Sequence, residues 1–280
     1  MEEATAGRVL LITGCSSGIG LDAARHMAAR GWRVFASCRR EEDCVRLRAE
    51  GFASPRIDLS DPDSIAGGLD QMLAATGGRC DALFNNGAHA LPGAVEDVPV
   101  EALRAIFEVN LFGWHDLTCR AIRVMRAQGH GRIVQNSSVL GLVPMRWRGA
   151  YVATKFALEG LTDTLRLELR DTPIHVVTIA PGPITSAIRR NSIPHFERWI
   201  DWPSSARAEQ YRDSLLPRLH AEAGRDMFEL PARAVSGTLA RALEAPRPRR
   251  RYHVTVPTRA MALLRRLLPG GLLDALIARR

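Results

Sequence analysis

The chain has 280 residues, and 46% of them are hydrophobic, which is enough to bury the core of one large α/β domain or of two small ones. Its net charge of +8 is local, because residues 1–245 carry 29 basic and 29 acidic side chains whereas residues 246–280 carry nine arginines and one acid. This basic segment contains a single aromatic residue, Tyr252, and so offers little surface for stacking on bases, which argues against nucleic-acid binding. The sequence contains no run of about 18 apolar residues that would predict a transmembrane helix, and no signal peptide is expected. Its five cysteines lack CxxC spacing, which argues for a reducing cytoplasm and against a disulfide framework or a zinc site.

Short apolar runs alternate with helical patterns along the chain. The predicted strands cover residues 9–13, 33–37, a segment ending at 57–58, 81–85, 132–136, 175–179 and 252–256. The predicted helices cover residues 19–30, 41–50, a segment after 61–63, 100–128 and 151–170. This alternation predicts an α/β fold with a doubly wound, mostly parallel seven-stranded sheet flanked by helices. Residues 245–249 look like a linker, but the strand pattern after them favours a single domain over residues 1–280.

A glycine-rich loop lies between the first predicted strand and the first predicted helix, and it reads TGCSSGIG at residues 13–20. Glycines at this place permit a tight turn and let backbone N–H groups approach a pyrophosphate at the N-terminus of the helix, although the spacing differs from the commoner dinucleotide fingerprint. The alternative is a purely structural turn. The candidate cofactor ligands of the loop are Gly14, Ser16, Ser17, Gly18, Ile19 and Gly20.

The second predicted strand ends in Cys38-Arg39-Arg40. A site for NAD(H) would place an acidic residue there to bind the ribose hydroxyls, whereas an arginine suits the 2′-phosphate of NADP(H). Arg39 therefore predicts that NADP(H) is preferred over NAD(H). The alternative is that both arginines are merely solvated.

Lysine is almost absent from the chain, since 37 arginines accompany one lysine, Lys155, which lies four residues after Tyr151. Residues i and i+4 share one face of a helix, so the two side chains are expected to lie next to each other. An ammonium lowers the pKa of a nearby phenol by its charge and passes protons on, whereas a guanidinium that never deprotonates is a poor substitute. The pair predicts a proton-transfer site; the alternative is a surface tyrosine and lysine on one helix.

The glycine loop, the spacing of Tyr151 and Lys155 and the order of the segments resemble the short-chain dehydrogenase/reductase family over nearly the whole chain. Within that family, the loop and the segment from Tyr151 to Gly160 are similar to bacterial relatives of the hydroxysteroid and retinol dehydrogenases. The resemblance implies a Rossmann-type domain. Ser138, thirteen residues before Tyr151, matches the catalytic serine of the family, and Asn110 in the segment Val-Asn-Leu-Phe-Gly matches its catalytic asparagine.

The resemblance also implies further cofactor contacts. Asp58 and Leu59 match the pair that touches the adenine, and Asn86 and Gly87 belong to the turn beside the cofactor. The loop that grips the nicotinamide carboxamide matches Pro181, Gly182, Ile184 and Ser186. Two departures stand out, because the family usually has Ala-Gly in place of Gly87-Ala88 and threonine in place of Ser186.

The implied reaction is hydride transfer between the nicotinamide and a carbonyl or carbinol carbon, with the protein orienting the cofactor. Tyr151 would act as general acid in reduction and general base in oxidation, its pKa lowered by Lys155 and by the oxidised nicotinamide. Ser138 would bind the substrate oxygen. Asn110 would hold a water that links Lys155 to solvent.

The expected substrate walls are apolar. They comprise residues 139–147 and a substrate lid at 187–230, before the last helix and strand. The candidate substrate-binding residues are Ser138, Val143, Met145, Trp147 and Tyr151. This composition favours a small lipophilic alcohol or carbonyl compound of steroid or retinoid type. The alternatives are a 3-ketoacyl-thioester reductase and a catalytically silent NADP-binding sensor or scaffold.

Residues 257–280 form a basic C-terminal extension of two amphipathic runs. We expect these runs to cap the substrate pocket or to pack on a partner subunit; the alternative is peripheral contact with an anionic membrane. The cysteine usage predicts a cytoplasmic protein, and the resemblance implies a homodimer or homotetramer formed through residues 100–128 and 151–170.

Overall fold

The computed structural model describes residues 7–221 and 227–278. Within these ranges one sheet consists of the strands β1 (Val9–Ile12), β2 (Arg33–Ala36), β3 (Ala82–Asn85), β4 (Gly131–Asn136), β5 (Ile174–Ala180) and β6 (Arg251–His253). All pairings in the order β2-β1-β3-β4-β5-β6 are parallel. The predicted doubly wound parallel sheet is confirmed. Because the strand order reverses between β1 and β3, the loops at their carboxyl ends open into a crevice.

Helices cover both faces of the sheet and its carboxyl edge. They are α1 (Gly18–Ala28), α2 (Glu41–Ala49), α3 (Pro62–Thr76), α4 (Val100–Phe107), α5 (Gly113–Gln128), α6 (Gly149–Glu168), α7 (Ile188–Trp199), α8 (Ala208–Gln210), α9 (Leu216–His220), α10 (Arg233–Glu244), α11 (Val256–Leu267) and α12 (Gly270–Ala278). Local sequence sets several ends. The carboxylate of Asp61 accepts the N–H groups of Asp63 and Ser64 where α3 begins, and Gly77 ends α3 in the left-handed conformation.

Alternate residues of the central strands point to opposite layers of helices. Ile12 and Phe84 pack with the layer formed by α1 and α10. Leu11 and Leu83 pack with the layer formed by α3, α5 and α6. All four side chains are fully buried, as a parallel sheet covered on both faces requires.

The prediction of seven strands is wrong by one. The segment expected to end in a strand at 57–58 makes only two isolated parallel bridges beside β2, Phe35 with Ala53 and Cys38 with Arg56. Pro55 lies between these bridges and has no N–H to donate, so no continuous ladder forms there.

The long helix predicted for residues 100–128 is divided. Between α4 and α5, the backbone of Glu108–Phe112 widens to hydrogen bonds from residue i to residue i−5. Such a wide turn inside a helix is often found at functional sites. Asn110, a predicted catalytic residue, lies at its centre.

In the expected lid, Phe196, Tyr211 and Leu215 are buried in the same apolar cluster as Tyr151. None of the described helices has the length and apolarity needed to cross a membrane. Residues 1–6 at the N-terminus, residues 222–226 of the expected lid and residues 279–280 of the expected extension lie outside the described residues.

Candidate active site

The glycine loop lines the crevice between β1 and β3. Gly14 and Gly18 have φ angles of +72° and +57°, which glycine adopts without strain. A Cβ on Gly14 would lie 2.5 Å from Cα of Gly87, and a Cβ on Gly20 would lie 2.2 Å from the carbonyl oxygen of Gly14. The loop therefore forms a cradle of closely packed backbone in which side chains have no room.

The ends of β1, β3 and β4 are joined by a network of side-chain amides. Oγ1 of Thr13 accepts the backbone N–H groups of Asn86 and Gly87, both at 2.9 Å. Nδ2 of Asn86 donates to the carbonyl of Thr13 at 3.0 Å, and Nδ2 of Asn136 donates to Oδ1 of Asn86 at 2.8 Å. The Asn86 side chain thus links the end of β1 to the end of β4.

The reversed order Gly87-Ala88 has a physical explanation. A Cβ on Gly87 would lie 3.1 Å from Cδ1 of Leu59 and 3.2 Å from the backbone nitrogen of Gly14. The residue without a side chain therefore lies where the glycine loop, the turn after β3 and Leu59 approach most closely. Ala88 packs instead against the core layer beneath the sheet.

The residues expected around the adenosine meet at this end of the crevice. Oδ1 of Asp58 accepts the backbone N–H and the hydroxyl of Ser60, which fixes the turn that carries Leu59. Arg39 is exposed just beyond β2 and forms no ion pair within residues 7–221 and 227–278. Its charge contributes to lowering the pKa values of His89 and His195.

The loop after β5 closes the other end of the crevice. The carbonyl of Pro181 accepts the N–H of Val139 at 2.7 Å, directly after Ser138. A Cβ on Gly182 would lie 2.2 Å from Oγ1 of Thr255, so Gly182 permits the approach of α11. Ile184 forms a parallel bridge with Leu230. The Cβ of Ser186 lies 3.4 Å from the place that a Cβ of Gly18 would take, so the loop reaches the glycine cradle.

Tyr151, Ser138 and Lys155 meet between the two ends. Tyr151 and Lys155 lie one turn apart on α6 and are both buried, with exposed fractions of 8% and 1%. The Ser138 side chain lies close enough to Tyr151 to lower the pKa of its phenol, and the Lys155 ammonium donates to the carbonyl of Asn136 at 2.9 Å. The ammonium lies 5.5 Å from the centroid of the Tyr151 ring.

Burial determines the protonation of this pair. It raises the pKa of Tyr151 to about 12, against smaller lowering effects of the Ser138 side chain and the charge of Arg148. It lowers the pKa of Lys155 to about 7, and the charge of Glu159 opposes this change. The sequence predicts a lowered phenol pKa, whereas in the protein without cofactor desolvation dominates. Tyr151 is therefore a protonated acid at neutral pH.

Asn110 holds the backbone that follows the turn after β3. Its Oδ1 accepts the N–H of His89 at 3.1 Å, and its Nδ2 donates to the carbonyl of His89 at 2.9 Å. Nδ2 also lies 3.4 Å from Oγ1 of Thr154 on α6. The side chain thus links α6 to the turn, and its role in a water relay to Lys155 stays a prediction.

The three predicted wall residues separate in space. Val143 is buried against Met261 and Leu273 of α11 and α12, so the C-terminal helices cap the segment after Ser138. Met145 is 42% exposed at the rim. Trp147 belongs to the apolar cluster of Tyr151 and has a φ of +65°, a strained value for a residue with a bulky side chain.

Several residues that contact the site were not predicted. They are Trp114, which donates to the carbonyl of Gly87; His89 and His195, whose rings stack; and Tyr211, whose hydroxyl bonds Asp97 and the N–H of Ala94. Trp114 follows Asn110 by four residues, and this helical spacing is a signal that places both on one face. The other contacts join segments that are distant in sequence, so no local pattern announces them.

A family model described as short chain dehydrogenase matches residues 8–196. The chain is 36% identical over 268 residues to the uncharacterized oxidoreductase YbbO of Escherichia coli (strain K12), which covers 96% of this chain and 93% of that protein. It is 29% identical to an NADPH-dependent 3-dehydrocapnine reductase of Ornithobacterium rhinotracheale, covering 95% of each chain. It is 30% identical to 17-beta-hydroxysteroid dehydrogenase type 1 of Homo sapiens, covering 94% of this chain and 82% of that protein.

The fold is similar to solved structures. A short chain dehydrogenase/reductase from Burkholderia phymatum, solved in complex with NAD, matches with a TM-score of 0.74 at 26% identity, covering 94% of this chain and 93% of that chain.

Proposed function

The chain belongs to the short-chain dehydrogenase family, and from this premise we propose that it is an NADP(H)-dependent oxidoreductase that transfers hydride between the nicotinamide and a lipophilic alcohol or carbonyl compound. The observation that carries the proposal is the burial of Tyr151 between the hydroxyl of Ser138 and the single lysine of the chain, Lys155. A buried phenol, a hydroxyl and an ammonium at this spacing form an acid with a positioned hydrogen-bond partner and a nearby charge.

The residues of the crevice fit a dinucleotide. The glycine cradle leaves backbone free of side chains at the N-terminus of α1, where a pyrophosphate is favoured. Gly14, Ser16, Ser17, Gly18, Ile19 and Gly20 would hold that group, with Asp58, Leu59, Asn86 and Gly87 at the adenosine end and Pro181, Gly182, Ile184 and Ser186 at the nicotinamide end. When bound, the nicotinamide supplies the hydride donor or acceptor.

Tyr151 performs the proton transfer in this proposal. During reduction its phenol gives a proton to the oxygen of the former carbonyl group, and during oxidation it takes the proton of the alcohol. Ser138 donates a hydrogen bond to the same oxygen and stabilises its developing charge. Lys155 compensates the charge of the phenolate that remains. The high pKa of Tyr151 in the protein without cofactor suits the acid role and therefore the direction of reduction.

Two observations support the cofactor and substrate class. The guanidinium of Arg39 beyond β2, which forms no ion pair with the described residues, suits a 2′-phosphate, and a relative over 95% of the chain is described as NADPH-dependent. The cluster around Tyr151 is apolar and includes Trp147 and Phe196, and another relative is described as a hydroxysteroid dehydrogenase. The apolar cluster and the hydroxysteroid relative together favour a lipophilic carbonyl compound as substrate.

The proposal extends to assembly and location. Phe112, Leu161 and Leu167 are exposed apolar residues on or beside the helices expected to meet a partner subunit, with exposed fractions of 51%, 40% and 72%. They support a homodimer or homotetramer built on α5 and α6. The proposed location is the cytoplasm, with peripheral membrane contact through the C-terminal helices.

The test is NADPH oxidation by the purified protein with steroid, retinoid, short-chain ketone and 3-ketoacyl-thioester substrates, each repeated with NADH. Tyr151→Phe should abolish turnover while retaining NADPH binding, and Tyr252→Phe, at a distant tyrosine, should leave turnover unchanged. Turnover of ketoacyl thioesters alone would favour the thioester reductase. Tight NADPH binding without turnover in either direction would contradict the enzyme and favour a sensor.

A further inference from the structure

Trp114 contacts both the turn after β3 and the Lys155 ammonium. Its side chain is fully buried. Its Nε1–H donates to the carbonyl oxygen of Gly87 at 2.7 Å, and Nζ of Lys155 lies 4.3 Å from the centroid of its ring. We propose that Trp114 is a positioning residue that holds the Lys155 ammonium over its ring and fixes the cofactor-facing turn through its indole N–H. This inference rests on the proposed function, since it assumes that Lys155 and the turn serve the same reaction.

The ammonium has few other favourable contacts. It carries three donors, and one of them reaches the carbonyl of Asn136. No carboxylate within the described residues forms an ion pair with Lys155, because Glu159, one turn further along α6, pairs with Arg251. A cation over an aromatic face is attracted most strongly when both groups are desolvated, as Lys155 and Trp114 are. The Trp114 ring therefore favours the charged form of Lys155, together with the carbonyl of Asn136 and the charge of Glu159.

The contribution of the Trp114 ring can be separated from that of the other charged groups around Lys155. On α6 the neighbours are Tyr151 and Glu159, and Arg251 reaches Glu159 from β6. On α5 the nearest carboxylate, Asp116, pairs with Arg120. Loss of the Trp114 ring alters none of these pairs, so a change in the ionisation of Lys155 would report the ring contact itself.

The turn is held equally closely. The N–H of Gly87 donates to Thr13, and its carbonyl accepts from Trp114, so both backbone groups of this glycine are fixed by side chains. The approach of α5 to the crevice makes this possible, because a Cβ on Gly113 would lie 1.9 Å from the carbonyl of Leu59. Gly113 thus brings the N-terminal end of α5 against the adenine-facing segment and places Trp114 between that segment and Lys155.

The single lysine makes the test direct. Selective ¹⁵N-lysine labelling of the full-length chain gives one side-chain signal, whose titration by NMR yields the pKa of Lys155 with and without NADPH. Trp114→Leu should lower this pKa by about one unit, since a desolvated cation–π contact that favours the ammonium is lost. Trp114→Phe should retain the pKa but weaken NADPH binding several-fold, because the ring remains and the N–H is lost. Trp32→Leu, at a buried tryptophan far from the site, should change neither.

A second measurement keeps the tryptophan at position 114 in place. Replacement of all five tryptophans by fluorotryptophans weakens the attraction of the ring face with each added fluorine and keeps its shape and N–H. The pKa of Lys155 should fall stepwise with fluorine content in the natural sequence and stay constant in Trp114→Phe. A pKa that ignores fluorination, or that falls equally in both proteins, overturns the proposal. Because the titration needs no substrate, it is separate from the turnover assay, whose failure would contradict the reaction only.

Discussion

His89 and His195 stack face to face, with ring centroids 4.0 Å apart and planes inclined by 15°. His89 follows the turn after β3, and Asn110 holds both of its backbone groups. His195 lies on α7, in the expected lid. Burial lowers the pKa of His89 to about 3, and His195 and Arg39 add to the effect. The stack therefore joins the expected lid to the turn after β3 through two neutral imidazoles.

This stack predicts a loss of stability in mild acid. The pKa of His89 is lower in the folded protein than its ordinary value of 6.5, so the unfolded chain binds the proton first as the pH falls. Stability is then lost progressively from about pH 6.5 towards pH 3. His89 alone should make the free energy of unfolding about 2 kcal/mol lower at pH 5 than at pH 7. His89→Phe keeps a stacking ring and should remove most of that loss. Urea unfolding at both pH values measures it, with the exposed His220→Phe as control; equal losses in wild type and His89→Phe would contradict the assignment.

Arg39 provides a prediction about cofactor choice. Its guanidinium is free of ion pairs in the described residues, and a charged hydrogen bond to a 2′-phosphate is worth about 1.5–3 kcal/mol. Arg39→Ser should therefore weaken NADPH binding by roughly 10- to 100-fold and change NADH binding little. Fluorescence titration with both cofactors measures this. An equal loss for both, or a loss seen only in Arg40→Ser, would place the phosphate elsewhere.

The sequence was sufficient for the sheet and for the groups that lie on one element. Tyr151 and Lys155 share a face of α6 because helical spacing dictates it, and the glycine loop is recognisable from its place after a buried strand. The third expected strand was wrong. The apolar residues of that segment indicated a strand, but Pro55 cannot donate the hydrogen bond that a continuous ladder needs. The pKa of Tyr151 was also beyond sequence reasoning, since it depends on how completely the lid and α6 exclude water.

Gly20 tests the close packing of the cradle. A Cβ there would lie 2.2 Å from the carbonyl of Gly14 and 2.7 Å from Nδ2 of Asn86, so backbone must move to accept it. Gly20→Ala should destabilise the protein by about 2 kcal/mol or more and weaken NADPH binding at least tenfold. Gly160→Ala, in α6 with open space around the new methyl group, should instead stabilise by about 0.5–1 kcal/mol. Thermal unfolding and NADPH titration separate the two, and a neutral Gly20→Ala would contradict the geometry.

Tyr211 anchors the lid. Its buried hydroxyl donates to Oδ2 of Asp97 at 2.7 Å and accepts the N–H of Ala94 at 2.7 Å, and its ring lies 4.7 Å from that of Trp147. Tyr211→Phe leaves two buried polar groups short of a partner and should cost about 1–3 kcal/mol of stability. The KM for the carbonyl substrate should rise more than the Kd for NADPH, because the proposed function places the lid beside the substrate. Tyr252→Phe controls for the lost hydroxyl, and a change in NADPH binding alone would contradict an anchoring role.

The contacts of Tyr211 also show where sequence reasoning ends. Phe196 of the expected lid was predicted to line a substrate wall, and it is buried in one cluster with Tyr211 and Tyr151. Composition cannot distinguish a side chain that faces a ligand from one that faces the core, since both surfaces are apolar. Polar partners distinguish them, and Asp97 is 114 residues from Tyr211 in the chain.

The outer face of α11 gives the last prediction. Val256, Leu263 and Leu267 are 60%, 57% and 68% exposed and recur at helical spacing, while Met261 on the opposite face packs against the segment after Ser138. An apolar stripe flanked by arginines suits an anionic lipid surface. Sedimentation with phosphatidylglycerol vesicles should recover the protein, phosphatidylcholine vesicles should recover much less, and the double variant Leu263→Asp, Leu267→Asp should stay in solution. Val45→Asp, at an exposed valine of α2, is the matched control. If the two substitutions instead dissociate an oligomer of this chain and vesicles recover neither protein, the stripe contacts a second copy of the chain. A subunit interface needs the apolar face but no anionic lipid.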